Sequence, residues 1–306
     1  MSNERSYLTT MIGSMPQTTA KEALRVLSDY PLTIPAWAQL PRRTPLEGMV
    51  PQCSEGFPGV QIDAETNSLW VQNDEDLPNA LAIFYENLLS ETLDPMAISE
   101  SFAPGFHAFL RQLDSAESRP SIIKGQVTGP LTFGLGLTDQ DRNAVWFDPQ
   151  YRDVVLKGLG MKAQWQIREL KKRADQVLLF FDEPILSALG TPAYMGISDE
   201  QIVNGLNEVI HAAQAEGARV GIHCCGNMDW GLLAQTDLDI MAFDAYSFGE
   251  KIALYPEQVN AFLARGGTLA YGLIPTLEHD DIMQETSDSL LQKLQSLLEL
   301  YVHKGL

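Results

Sequence analysis

A chain of 306 residues with a net charge of −19 argues against nucleic acid or an anionic membrane surface as partner, because both select clustered Lys and Arg. It is 45% hydrophobic, yet no apolar run is long enough to span a bilayer and no charged-then-apolar leader opens it, so a cytoplasmic protein is expected. Three cysteines, two of them adjacent, predict reduced thiols, and the lack of a linker-like stretch predicts one domain over residues 1–306.

Residues 8–13 form a first apolar run that ends at Gly13-Ser14, and 18–28 have helical character. The stretch from Trp37 to Arg43 is the densest aromatic and basic segment. It reads either as a site for an anionic substrate or as a partner of the abundant acids. Residues 61–63 and 69–71 flank Thr66-Asn67, the pattern of a β-hairpin inserted in an early loop. Strand-like runs follow at 122–127, 177–181, 220–222, 240–243 and 269–273. Helical patterns lie at 77–89, 150–174, 198–216, 256–264 and 288–303. This alternation predicts a parallel sheet covered by helices, and the length fits a single (β/α)8 TIM barrel. A doubly wound sheet fits less well, because no Gly-x-Gly-x-x-Gly turn follows a strand-like run.

Polar residues gather at the C-terminal ends of these runs, where a barrel places its chemistry. Gly13-Ser14, Lys124, Gln126, Asp182-Glu183, His223 to Cys225 and Asp244 are the set. His223 and Cys225 project to the same side of an extended chain, so imidazole and thiolate can meet one soft metal ion, with zinc the first choice. Alone that pair is weak, since buried Cys is often an apolar filler; Gly226 strengthens it by letting the chain turn away. Cys224 is assigned to packing.

Asp182 and Glu183 leave a very apolar strand, where a carboxylate ionises only beside a cation, such as a substrate ammonium group. Helix capping or a salt bridge is the structural reading. The turn at Ile12-Gly13-Ser14 offers backbone N–H groups to a carboxylate, or is a plain strand-to-helix turn. Lys124 is unusual in a buried strand without an anionic partner, and Asp244 is either a hard oxygen ligand for the metal or a strand-end cap. Cys53 lies in an early loop, and the sequence does not show whether that loop reaches over the same face.

Together these segments resemble the superfamily that unites cobalamin-independent methionine synthase, uroporphyrinogen decarboxylase and the corrinoid-dependent methyltransferases. The residues that carry the resemblance are Ile12-Gly13-Ser14-Met15-Pro16-Gln17-Thr18, Phe181-Asp182-Glu183-Pro184 and His223-Cys224-Cys225. It implies a barrel methyltransferase acting on a thiol such as homocysteine, with Ile12, Gly13 and Ser14 on the substrate carboxylate and Asp182 on its ammonium. It implies zinc on His223 and Cys225, with Asp244 where the synthase has a Glu. Tyr271-Gly272-Leu273 stands where the synthase has its second zinc cysteine, so the fourth ligand falls to Asp244, Cys53, Tyr271, water or the substrate sulfur. The chain matches only the catalytic half of the synthase. The resemblance therefore implies a methylated corrinoid such as methylcobalamin, free or on a partner protein, as methyl donor beside methylfolate. The other readings are a metal-free decarboxylase or lyase of the porphyrinogen type and a non-catalytic binder of a corrinoid or an amino acid.

Overall fold

The computed structural model describes residues 7–63, 65–66, 68–191 and 194–306. Its centre is a parallel five-stranded sheet in the order β3-β5-β6-β7-β8, with β3 Ile122–Thr128, β5 Gln176–Asp182, β6 Arg219–Cys224, β7 Ile240–Phe243 and β8 Thr268–Tyr271. A second sheet, in the order β1-β2-β4, joins β1 Val60–Asp63, β2 Ser68–Val71 and β4 Thr138–Asp139. Strands β1 and β2 pair antiparallel as the expected hairpin, with Val60 opposite Val71, and β4 runs parallel to β2. Asn67, expected in the hairpin turn, lies outside the described residues.

Two further extended segments continue the central sheet beyond β3 through single bridges. Ala36 pairs with Lys124, and Ser14 pairs with Gln39, both parallel. The expected strand at 8–13 is thus a bridge and a few backbone bonds, including Ile34 N to Thr9 O at 2.9 Å and Gln39 N to Gly13 O at 2.9 Å. The stretch around Trp37, read from sequence as a binding or ion-pairing segment, is the extended segment beside β3. Pro35 and Pro41 lack the N–H that a full ladder needs, which confines pairing there to isolated bridges. The fold is α/β with helices between parallel strands. Among the described residues, pairing does not close the sheet into the expected eight-stranded barrel, because no bridge joins β8 to the 7–14 segment.

Helices Leu77–Leu89, Pro149–Lys171, Asp199–Ala215, Pro256–Ala264 and Ser287–His303 lie close to the expected spans. Ser198 caps Asp199–Ala215 through a capping box with Gln201, which fixes where that helix begins. Alternation along each strand sorts the apolar residues into two layers. Val177, Leu179, Phe181, Val220, Ile222, Met241 and Phe243 join the large core under the helices. Ile34, Leu178, Phe180, Ile240 and Ala242 form a small cluster on the other, inner face. Gly221 opens room on that face for Phe180, because a Cβ there would lie 2.5 Å from its ring.

Candidate active site

The inner-face positions of the strands continue past the small apolar cluster into polar residues at the C-terminal ends. In register, Thr128 stands opposite Asp182, and Asp182 opposite His223. Neighbours in register point to the same face, so these side chains share one row. Lys124 and Gln126 lie on the same face of β3, nearer its start.

Asp182 is buried and its Oδ1 has no hydrogen-bond partner. Burial raises its pKa, while the charge of Lys124 works in the opposite direction. His223 has an unpartnered buried Nδ1 beside it. Burial first, and then the Lys124 charge, lowers the imidazole pKa to about 4, so the ring is neutral at neutral pH. Lys124 is fully buried, and its Nζ donates to the Ile12 carbonyl at 2.6 Å and to Gln126 Oε1 at 3.1 Å. The same Nζ lies 4.9 Å from the centre of the Phe180 ring, and burial lowers its pKa against the pull of Asp182.

The 12–14 turn is held by this network. Gly13 has a φ of 145°, and a Cβ would meet Gln126 Nε2 at 2.5 Å and Gln39 Oε1 at 2.8 Å, so only glycine fits. Gln126 Nε2 donates to the Trp37 carbonyl at 3.0 Å. Behind it, Gln166 from helix Pro149–Lys171 accepts from the Gln126 backbone N–H at 2.9 Å and returns a bond to its carbonyl at 3.0 Å. Ser14 and Ile12 are exposed.

Several expected site residues are engaged in structural contacts, although the Asp244 charge still acts on His223 and Cys225. Glu183, expected to touch substrate, is fully buried and caps helix Pro130–Gly136. It accepts from Leu131 N at 2.8 Å, Thr132 N at 2.9 Å and Thr132 Oγ1 at 2.6 Å. The reason is its position: one residue beyond Asp182, it faces the helix layer, where free N–H groups of a helix start await an acceptor. Burial raises its pKa to about 7. Asp244 caps helix Ala245–Ile252 by accepting from Ser247 N at 2.9 Å. Tyr271 stands opposite Phe243 and packs on it at 5.3 Å between ring centres, which places it on the outer face. Arg43 is taken up by Glu47 and the Ser101 carbonyl.

The proposed zinc donors sit in different settings. Cys225 is exposed, Asp244 is engaged as a helix cap, and among the described residues no three His, Cys, Asp or Glu side chains gather as a metal-binding group. Cys53 is buried in helix Met49–Cys53; burial raises its thiol pKa, partly offset by the nearby Lys162 charge. Cys224 packs in the outer core, with its thiol pushed up to about 12 by burial. Among the described residues the expected His223, Cys225 and Asp244 set does not gather as a metal-binding group, and no chemistry is assigned through a zinc ion.

Sequence reading passed over Gln166 and Thr132, which position Gln126 and Glu183. It also passed over Lys162, whose buried ammonium donates to the Glu55 and Met96 carbonyls at 2.9 and 2.8 Å. A lysine between Met161 and Ala163 on a mostly apolar helix is the one signal that marked the last.

No protein-family model and no curated protein matches the chain. Among solved structures it is similar to a candidate vitamin-B12-independent methionine synthase from Listeria monocytogenes, at 12% identity over 94% of this chain and 86% of that one, with a TM-score of 0.44. No described helix is long and apolar enough to cross a membrane.

Proposed function

We propose that the protein is a methyltransferase on a barrel-like α/β scaffold, moving a methyl group from a methylated corrinoid, free or carried by a partner protein, or from methylfolate to a small amino-acid thiol. The observation that carries this reading is the unpartnered Oδ1 of buried Asp182 beside the unpartnered Nδ1 of His223. A buried carboxylate without a donor is costly unless a ligand supplies one, and an ammonium group supplies it best. The motif resemblance at residues 12–18, 181–184 and 223–225 supports the same assignment.

In this reading Asp182 binds the acceptor ammonium and the 12–14 turn faces its carboxylate. Neutral His223 accepts a hydrogen bond from the thiol at Nδ1 and orients the sulfur, whose lone pair attacks the methyl carbon as the donor–methyl bond breaks with its electron pair staying on the donor. The proton passes to solvent, since an imidazole with a pKa near 4 does not retain it. Orientation is the main contribution of the chain. A porphyrinogen-type lyase fits less well, because it requires several cations for many carboxylates and Arg43 is already engaged by Glu47.

Turnover with methylcobalamin or methylfolate and a panel of thiols tests the proposal. Thioether formation that is lost in Asp182→Asn supports it; affinity without product makes the protein a binder.

A further inference from the structure

β8 ends the central sheet, and among the described residues only β7 pairs with it. Thr268 N donates to the Asp239 carbonyl and Gly272 N to the Phe243 carbonyl, both at 2.9 Å, so these positions spend their backbone groups on the β7 side. Successive residues of a strand direct N–H and C=O to opposite edges, which turns those of Leu269 and Tyr271 to the open side. Short as it is, β8 carries no charge and no proline, the features that usually blunt an edge.

The helix that lies over β8 is bare on the same side. In helix Ser287–His303, Lys293 Nζ sits 3.5 Å from the centre of the Tyr246 ring, and Leu297 comes so close to Gly249 that a Cβ there would lie 2.7 Å away. Both partners belong to helix Ala245–Ile252. Tyr301 reaches the sheet, with 6.3 Å between its ring centre and that of Tyr271. At about 100° per residue, Lys293, Leu297 and Tyr301 follow one another around the helix, and the next sector carries Leu291, Leu298 and Val302. These three are 63%, 41% and 74% exposed. The apolar stripe thus lies on the flank away from helix Ala245–Ile252, over the free edge of β8.

We propose that this side is an interface between two copies of the chain, with β8 paired antiparallel to its own mate across a two-fold axis and the two Ser287–His303 helices packed flank to flank. Whatever covers this side must bring a row of backbone donors and acceptors and, one layer above it, an apolar helix flank. A second copy brings both, because a two-fold axis sets each element against itself. The central sheet then runs through both copies, and Leu291, Leu298 and Val302 leave water. The net charge of −19 opposes the approach of two copies, and salt screens that repulsion.

Sedimentation equilibrium of the full chain is the test. Wild type is expected to be dimeric at about 10 μM, with tighter association as salt rises to about 0.5 M. Leu291→Glu combined with Val302→Glu changes only positions that are exposed in the single copy, and is expected to weaken the dimer at least about a hundredfold. Leu269→Pro removes one outward N–H while leaving the bonds to β7, and at least about a tenfold loss is expected. Hydrogen exchange separates strand pairing from helix contact: the Leu269 and Tyr271 amides should be protected in the wild-type dimer and exchange freely in the double variant. A wild type that stays monomeric at about 100 μM leaves this side to another partner and overturns the proposal. So does a dimer that withstands both changes, or one in which the two amides exchange freely. Species larger than a dimer would mark a head-to-tail contact and overturn it as well.

Discussion

Asp182 and Glu183 are adjacent carboxylates at the end of one strand, and the two faces of the sheet treat them in opposite ways. On the outer face Glu183 is met by three donors from the start of helix Pro130–Gly136. On the inner face Asp182 keeps an oxygen with no partner although it is equally enclosed. On the outer face the carboxylate is met by helix donors, whereas on the inner face Asp182 keeps an open acceptor in register with the open Nδ1 of His223. A buried acid by itself therefore marks no site; what sets Asp182 apart is an open acceptor at a strand end, next to a second open atom on the neighbouring strand.

That contrast sets the expected order of effects. Glu183→Ala strands three buried donors and is expected to lower unfolding free energy by about 3 kcal/mol in denaturant titration. Gly129→Ala attacks the same contact from the other side, since a Cβ would lie 2.2 Å from Glu183 Cγ, and about 2 kcal/mol is expected from the overpacking. If either variant melts like wild type, the outer face is not the tightly satisfied layer described.

The pH dependence separates the faces further. Glu183 has its folded pKa raised to about 7, so the folded state binds the extra proton between the ordinary glutamate value of about 4.3 and that point. Its contribution is fully present below about pH 4.3 and is lost as pH rises through about 7, with a slope of at most about 1.4 kcal/mol per pH unit. Glu183→Gln should flatten that part of the stability profile, and an unchanged slope would assign it to another group. Asp182→Asn removes a buried charge that has no direct bond at Oδ1. It is expected to leave stability unchanged or raise it by about 1 kcal/mol, while ligand binding falls. The smallest effect belongs to Cys225→Ser, within about 0.5 kcal/mol at an exposed position. In native protein a thiol reagent should modify Cys225 well before buried Cys53 and Cys224.

Strand and helix order was legible in the sequence because β5 and β6 are apolar runs with sharp ends. Asp182 and His223 were legible for the same reason, as polar residues at those ends. The fate of Glu183 was not, since its partners Leu131 and Thr132 are 52 and 51 residues away. The setting of the proposed metal donors was hidden on the same ground. Spacing places His223 and Cys225 on one side of an extended chain, but it does not reveal that β6 ends at Cys224, nor that Asp244 is needed to start a helix. The extended segment around Trp37 was hidden by its prolines, which weaken the strand pattern while leaving room for single bridges from Ala36 to Lys124 and from Gln39 to Ser14.

A crystal structure with homocysteine bound tests the central claim most directly. The account predicts the ligand ammonium within about 2.7–3.2 Å of Asp182 Oδ1, with the sulfur facing His223 Nδ1. Asp182 Oδ1 filled by a protein group, or the ligand bound away from the inner face, would contradict it.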